Sequence, residues 1–295
     1  MTTVTDQMGR RRVTHKDIRD NITAVIEPGG AAASYTYTPL GEITEVKDAE
    51  GNTTTIRYDG FGRRTEINNP DTGRTVFGYD PAGNMTRKIT ADLAAKGKAI
   101  RYHYNHNRLT QIDYPFMDDV YYTYGDTGSG YNRAGRVYKT DNGTVSEELY
   151  FGKLGETVKT VRTINDGDTS STYTTKYAFD NLGRMRTLTY PDGEILTYSY
   201  NQGGLLKSAV GETSSGRKVY LEDMKYDEFG QRTYMKYGNG AESTYTYEPV
   251  MRRLTNLKTT SAEGKTLQNI TYSYDEVGNI LSRKNSGFNT TDDVS

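Results

Sequence analysis

The side chains suited to chemistry are few in this chain, and their spacing suits little of it. His103 and His106 form a His-x-x-His pair, and only His15 exists besides. His103 lies between Tyr102 and Tyr104, on the opposite face of a strand, and His106 falls in a turn. Zinc takes further ligands, and there is no cysteine to supply them. The pair therefore reads as two solvated histidines. A Ser/His/Asp triad would have to draw on the same three histidines, and no serine sits in a Gly-x-Ser-x-Gly elbow. Asp118-Asp119 is the kind of carboxylate pair a glycosidase uses, but 38 acidic residues make chance pairs expected. Asn165-Asp166-Gly167-Asp168 offers oxygen ligands without the full calcium-loop spacing, and reads as a polar hairpin tip. Gly128-Ser129-Gly130 lacks the following helix and lysine of a phosphate cradle. No catalytic residue, metal ligand or cofactor-binding residue is nominated. The expectation is a non-enzymatic chain without a cofactor.

The elements that would have to position any such group are repeats. Tyr58-Asp59-Gly60-Phe61-Gly62-Arg63 recurs as Tyr79-Asp80-Pro81-Ala82-Gly83-Asn84 and as Phe179-Asp180-Asn181-Leu182-Gly183-Arg184. It returns as Tyr226-Asp227-Glu228-Phe229-Gly230-Gln231 and as Tyr274-Asp275-Glu276-Val277-Gly278-Asn279. Weaker copies begin at Tyr37, Tyr131, Phe151 and Tyr200; those at Tyr104 and Tyr247 have lost the glycine. A trace precedes them at Asp6-Gln7-Met8-Gly9-Arg10. Tyr37 through Tyr274 makes eleven copies, 20–28 residues apart.

Each part of the repeat has a physical reading. An aromatic-x-aromatic pair such as Tyr35/Tyr37, Tyr198/Tyr200 or Tyr272/Tyr274 puts two rings on one face of a strand. The aspartate that follows accepts a hydrogen bond from the backbone two residues on and starts a turn. The glycine four residues after the aromatic supplies a backbone with positive φ. A short strand then leaves and ends at a second turn, as at Pro191-Asp192-Gly193 or Gly238-Asn239-Gly240. The repeat-turn residues singled out are thus Tyr58, Asp59, Gly62, Arg63, Tyr79, Asp80, Gly83, Phe179, Asp180, Gly183, Arg184, Tyr226, Asp227, Gly230, Tyr274, Asp275 and Gly278. Arg63, Arg136 and Arg184 stand where they could lie over a neighbouring repeat's ring. One repeat is a β-hairpin, and eleven in series make an antiparallel meander whose rings pack on each other. The one helical stretch is 90–97, with a threonine cap and a glycine stop. It is expected to be an insertion, as are 165–175 and 211–216.

Composition agrees with a half-buried sheet. Apolar residues make up 34% of the chain, and 26 tyrosines stand beside 7 phenylalanines and no tryptophan. Such a chain has no thick oily core, yet it is too rich in strand formers to be disordered. The net charge of −1 is no footprint for nucleic acid. No apolar run approaches the length of a membrane span, and Met1–Gln7 shows no secretory leader.

The string aromatic-x-Tyr-Asp-x-x-Gly-Arg/Asn resembles the YD repeat of the Rhs family. Ile56–Arg64 and Thr271–Ile280 are especially similar to it, and the resemblance runs from about Tyr35 to Arg283. The family includes bacterial polymorphic toxins, the B and C components of insecticidal toxin complexes, and teneurins. The resemblance implies an all-β fold of hairpin repeats wound as a ribbon or partial shell. It also implies an encapsulating role toward a C-terminal toxin or other cargo. The family's Asp-Pro-x-Gly core segment has no match here, so the chain is expected to be a segment of a longer protein.

The expected organisation is an irregular segment over 1–34 with one degenerate repeat, one repeat domain over 35–283, and a polar tail over 284–295. The expected partners are the remaining repeats of a longer chain and an enclosed cargo, with no nucleic acid and no membrane span. The expected location is secreted or at the cell surface. The other reading is a cell-surface binding module that recognises carbohydrate or protein through its tyrosine-rich face or inserted loops.

Overall fold

The computed structural model describes residues 1–287 and 290–293. The described residues form an antiparallel all-β fold of 26 strands and one helix, Ala91–Ala95. The chain divides into two compact units. The first comprises residues 1–129, 133–148 and 164–170; the second comprises 130–132, 149–163 and 171–295.

Within the first unit each strand from Thr2–Thr5 onward pairs with the next in sequence. The second unit does the same from Ser170–Phe179 to Thr290–Asp293. Side chains alternate as a pleated strand requires. In Ala32–Tyr37 the rings of Tyr35 and Tyr37 are half-buried and Thr36 is exposed. On the exposed face small hydroxyls pair across strands, with Ser199 Oγ and Ser208 Oγ 2.6 Å apart. Ser273 and Ser282 repeat this at 2.7 Å.

Little is fully buried, because a sheet residue gains deep burial only where its face is covered. In the second unit Leu196, Ala209, Leu221 and Met224 form a small core, with Leu188, Tyr198, Leu206, Tyr226 and Met235 packed on it. In the first, Leu93 of the helix is buried. Thr90 caps that helix by accepting from the Leu93 amide, and Gly97 follows with φ +62°. The turn at Gly73 is the helix's seat: a Cβ there would lie 2.7 Å from Ala91 Cβ.

Several expectations need correction. Residues 1–34 are not irregular. They hold the strands Thr2–Thr5, Arg11–Lys16 and Ile22–Ile26, all paired. Asp17 caps the second turn there, and Asp20 takes the left-handed conformation usually left to glycine (φ 70°). Short polar side chains tolerate that region, so the glycine was not needed as a signal. The expected tail over 284–295 is also part of the sheet, since Thr290–Asp293 pairs with Ile280–Asn285. Residues 288, 289, 294 and 295 lie outside the described residues. The expected insertions at 165–175 and 211–216 take the form of extended strands and the turns between them. Leu206–Thr213 pairs with Gly216–Tyr226, and the Asp166 amide donates to the Thr169 carbonyl in the turn that follows Thr157–Asn165. Threonine and serine are at home in strands when one face is wet. Finally, Tyr131 ends no strand. It sits at φ 58° in the loop between Val120–Tyr124 and Val137–Asp141, so the strand-ending ring of that repeat is Tyr124.

Candidate functional site

The repeated structural unit is the turn, and Asp59 shows how it is built. The Asp59 amide donates to the Arg63 carbonyl (2.9 Å) and the Gly62 amide to the Asp59 carbonyl (3.1 Å). One carboxylate oxygen of Asp59 accepts from the amides of Phe61 and Arg63, at 2.9 and 3.0 Å. The other accepts from Arg63 Nε at 2.6 Å. Gly62 has φ +75°, as the left-handed residue of a type I turn with a G1 bulge requires. The departing strand then carries one extra residue, Thr65, because Arg57 pairs with Glu66 but Tyr58 with Arg64. Thr65 Oγ1 donates to the Arg57 carbonyl (3.2 Å). Thr110 and Thr255 do the same at their own bulges.

The other copies repeat this geometry. Asp180 accepts from the amides of Leu182 and Arg184 and from Arg184 Nε (2.7 Å). Asp227 accepts from the amides of Phe229 and Gln231. Asp80 and Asp275 bind Asn84 and Asn279 through both backbone and side-chain nitrogen. Gly83, Gly183, Gly230 and Gly278 all have positive φ, between 75° and 96°. Where the glycine is missing, chemistry compensates. The Tyr104 turn shortens to two left-handed residues, His106 and Asn107, and the Tyr247 turn lengthens by one and places Arg252 at φ 57°.

The charge at these turns is stabilised locally. The Arg184 side chain holds the Asp180 carboxyl below its ordinary value, and Asn84 does the same for Asp80. At Asp59 and Asp275 desolvation opposes the shift, but hydrogen bonds from Arg63 and Asn279 outweigh it.

Successive hairpins are joined by tyrosine hydroxyls, a feature the sequence reading missed. Tyr58 Oη donates to the Ile43 carbonyl (2.9 Å), Tyr79 Oη to Arg64 (2.8 Å) and Tyr200 Oη to Met185 (2.7 Å). Tyr226 and Tyr274 donate to Leu206 and Leu254, at 2.9 and 2.7 Å. Tyr37, Tyr104 and Tyr247 do likewise with Ile22, Met85 and Arg232. The acceptor is always the first residue of the preceding repeat's departing strand. The ladder between the two strands stops short of it; between the strands holding Met185 and Tyr200, for example, the last pair is Thr187–Thr197. Each hydroxyl therefore pairs a carbonyl that the sheet leaves over, as a half-buried polar group demands. The two strand-ending phenylalanines, Phe151 and Phe179, have no hydroxyl for this bond.

The residue after the glycine reaches forward. Arg63 lies over the Tyr79 ring, 4.9 Å from its centroid, and donates through Nη1 to the Asp80 carbonyl (3.0 Å). Arg184 lies 4.5 Å over Tyr200, and Arg253 Nη1 donates to the Asp275 carbonyl (2.7 Å). At six turns the residue three after the strand-ending aromatic is apolar and exposed. Leu40, Phe61, Leu154, Leu182, Phe229 and Val250 occupy this position in their turns and are 62–86% exposed.

Among the described residues the histidines and carboxylates singled out above lie in separate turns and strands. His103 and His106 are both exposed, and among the described residues no three histidines and carboxylates are grouped to hold a metal. Asp119 accepts from the Tyr114 amide and Gln111 Nε2, and Asp118 from Thr144 Oγ1. Asp166 accepts from the Thr169 amide and hydroxyl, closing a hairpin tip.

Comparison with known proteins agrees with this geometry. The RHS repeat family model matches residues 19–53, 37–74 and 58–94. The chain is 30% identical to toxin subunit YenC1 of Yersinia entomophaga over 119 residues, 38% of this chain and 12% of that subunit. It is 32% identical to YenC2 of the same organism over 124 residues, 40% of this chain and 13% of that one. It thus spans about an eighth of the length of these relatives. Its fold is that of part of the Photorhabdus luminescens Tc holotoxin pore (TM-score 0.80, 22% identity, 94% of this chain and 15% of that one). It also superposes on part of the crystal structure of TcdB2-TccC3 without its hypervariable C-terminal region (TM-score 0.81, 21% identity, 94% of this chain and 15% of that one). The chain thus carries RHS (YD) repeats over residues 19–94, and the same Asp-to-Gly turn and strand-ending aromatic recur in the strands that follow.

Proposed function

We propose that this chain is a non-enzymatic wall segment of a larger YD-repeat shell that encloses a polypeptide cargo, a toxin or another C-terminal domain. One observation carries the reading. Alternate turns of a meander fall on the same edge, two strands or about 10 Å apart. Along such edges several turns present an outward apolar side chain, such as Leu40 and Phe61 in the first unit and Leu182 and Phe229 in the second. A row of such side chains is costly to leave in water and suits an edge that further repeats cover. The turn and hydroxyl bonds add support, because they engage the repeat's polar groups in holding successive hairpins together. The site of action in this reading is outside the producing cell, secreted or on its surface.

The test uses the complete reading frame to which this chain belongs. Its product is treated with thermolysin and the fragments are identified by mass spectrometry. A non-repeat segment that survives in the native particle, and is cut once the particle is denatured, is the expected result. A frame that encodes no segment beyond its repeats, or a segment cut as fast in the particle as when expressed alone, would overturn the proposal.

A further inference from the structure

The second unit carries an open trough of about 920 Å³ on the tyrosine-bearing side of its sheet. Its size lies toward the upper end of ligand pockets. The rings of Tyr173, Tyr190 and Tyr220 line it together with the carboxylates of Asp192 and Glu194, and Leu196 of the small core forms its apolar floor. The three rings are 38–45% exposed, so they are available to a partner.

The trough is built by specific local choices. Tyr220 Oη donates to Glu194 Oε1 at 2.8 Å, which fixes both side chains. Gly211 makes that pair possible. A Cβ at Gly211 would overlap Glu194 Oε1 and come within 2.8 Å of Tyr220 Cε2. Asp192 Oδ1 accepts from the Glu194 amide (3.0 Å), which sets the turn that forms the rim. The local field is negative: the hydrogen bond to Glu194, burial and the neighbouring charges raise the Tyr220 hydroxyl above its ordinary value.

A cation over a tyrosine ring recurs along the chain. Elsewhere a lysine or arginine lies over the ring of Tyr79, Tyr200, Tyr150, Tyr234 or Tyr245. Lys218 does this for Tyr220, 4.8 Å from its centroid. Among the described residues no cation lies over Tyr173 or Tyr190, and neither Asp192 nor Glu194 has an ion pair. No basic side chain lines the trough. We propose that this trough binds a lysine or arginine side chain of another polypeptide, with the cation against the Tyr173 and Tyr190 rings and paired to Asp192 and Glu194. Aromatic faces and carboxylates together favour an organic cation, and the absence of a basic residue disfavours anions. The volume and the open form suit an extended segment better than a small free amine. The inference stands apart from the enclosing role proposed above and does not rest on it.

The test is isothermal titration of the full chain with acetyl-Gly-Arg-Gly-Lys-Gly-amide at low ionic strength. Choline chloride and cellopentaose are titrated in parallel. Saturable binding of the peptide is expected, weakening with added salt. Asp192→Asn and Glu194→Gln keep the acceptors for the turn amide and for Tyr220, so they should keep the melting temperature. Together they should weaken binding at least tenfold, and Tyr190→Ala should weaken it similarly. The proposal falls if the peptide shows no saturable binding, or if the double variant binds as well as the parent. Binding of choline as tight as the peptide would make the ligand a free amine, and binding of cellopentaose instead would make it a sugar; either overturns it.

Discussion

Tyr198 and Tyr200 stand two residues apart on one face of one strand, and only one of them joins two hairpins. Tyr200 Oη donates to the Met185 carbonyl at 2.7 Å. Tyr198 makes no hydrogen bond among the described residues, and its ring packs on the core around Leu196 and Leu221. Removing each hydroxyl with phenylalanine therefore separates the bond from the ring. Tyr200→Phe loses a net hydrogen bond, about 1 kcal/mol. The full cost of a buried orphan carbonyl does not apply, because the site is only half-buried and water can reach it. Tyr198→Phe should change stability by less than about 0.5 kcal/mol. With a urea dependence of about 2 kcal/mol/M, the two midpoints should differ by about 0.5 M in far-UV circular dichroism. The chain has two compact units, so the first gets its own matched pair. Tyr37→Phe, which loses the 2.6 Å bond to the Ile22 carbonyl, is set against Tyr35→Phe. Equal midpoints for Tyr198→Phe and Tyr200→Phe would refute the claim that the hydroxyl, and not the ring alone, ties successive repeats together.

Three other outcomes follow from the same geometry. Gly183 has φ +75° and open space around its missing Cβ, so Gly183→Ala isolates backbone strain and should cost about 1–2 kcal/mol. Gly183→Asn should recover part of that loss, and an alanine variant as stable as the parent in urea would contradict the turn assignment. At Gly238 the reason for glycine is space and not φ: a Cβ would overlap the Val219 carbonyl, so Gly238→Ala should cost about 3 kcal/mol in the same assay. Stability should also fall at both ends of the pH scale. The carboxyls of Asp6, Asp17, Asp80 and Asp180 lie below the ordinary 3.8, held by side-chain hydrogen bonds from Arg10, Asn21, Asn84 and Arg184. Their contribution is complete above 3.8 and is lost as pH falls through the lowered values. Burial raises Tyr104, Tyr226 and Tyr274 above 10.0, so their contribution is complete below 10.0 and is lost as pH rises through the raised values. Melting temperatures that stay flat across both windows would count against this account.

The turn was legible because it is local. Asp59, Phe61, Gly62 and Arg63 satisfy one another within four residues, and so the motif names its own geometry wherever it occurs. The alternation of rings and small hydroxyls was legible for the same reason, since period two is a property of the strand itself. The trace at Asp6 carries the complete turn, including the Arg10 bond to the Asp6 carboxylate. Asp17 folds the same way with Asp20 in place of glycine, a substitution that a pattern search for glycine passes over.

What lay outside local reach was decided by the fold. The partner of each strand-ending hydroxyl is 15 residues back for Tyr58 and 20 for Tyr226. Those distances vary because the hairpin between donor and acceptor varies in length. The contact survives because paired strands always bring their two ends on one edge together. Only that pairing distinguishes Tyr124, which closes a strand, from Tyr131, which carries the more familiar motif and does not. The trough between Tyr173, Tyr190 and Tyr220 has the same origin. Its rings come from three separate places in the chain, and the space for Glu194 and Tyr220 depends on Gly211, a glycine that no turn requires. Residue types and their spacing therefore determined the repeat and its turns. Long-range strand pairing determined which polar groups the tyrosines satisfy and where their faces remain open.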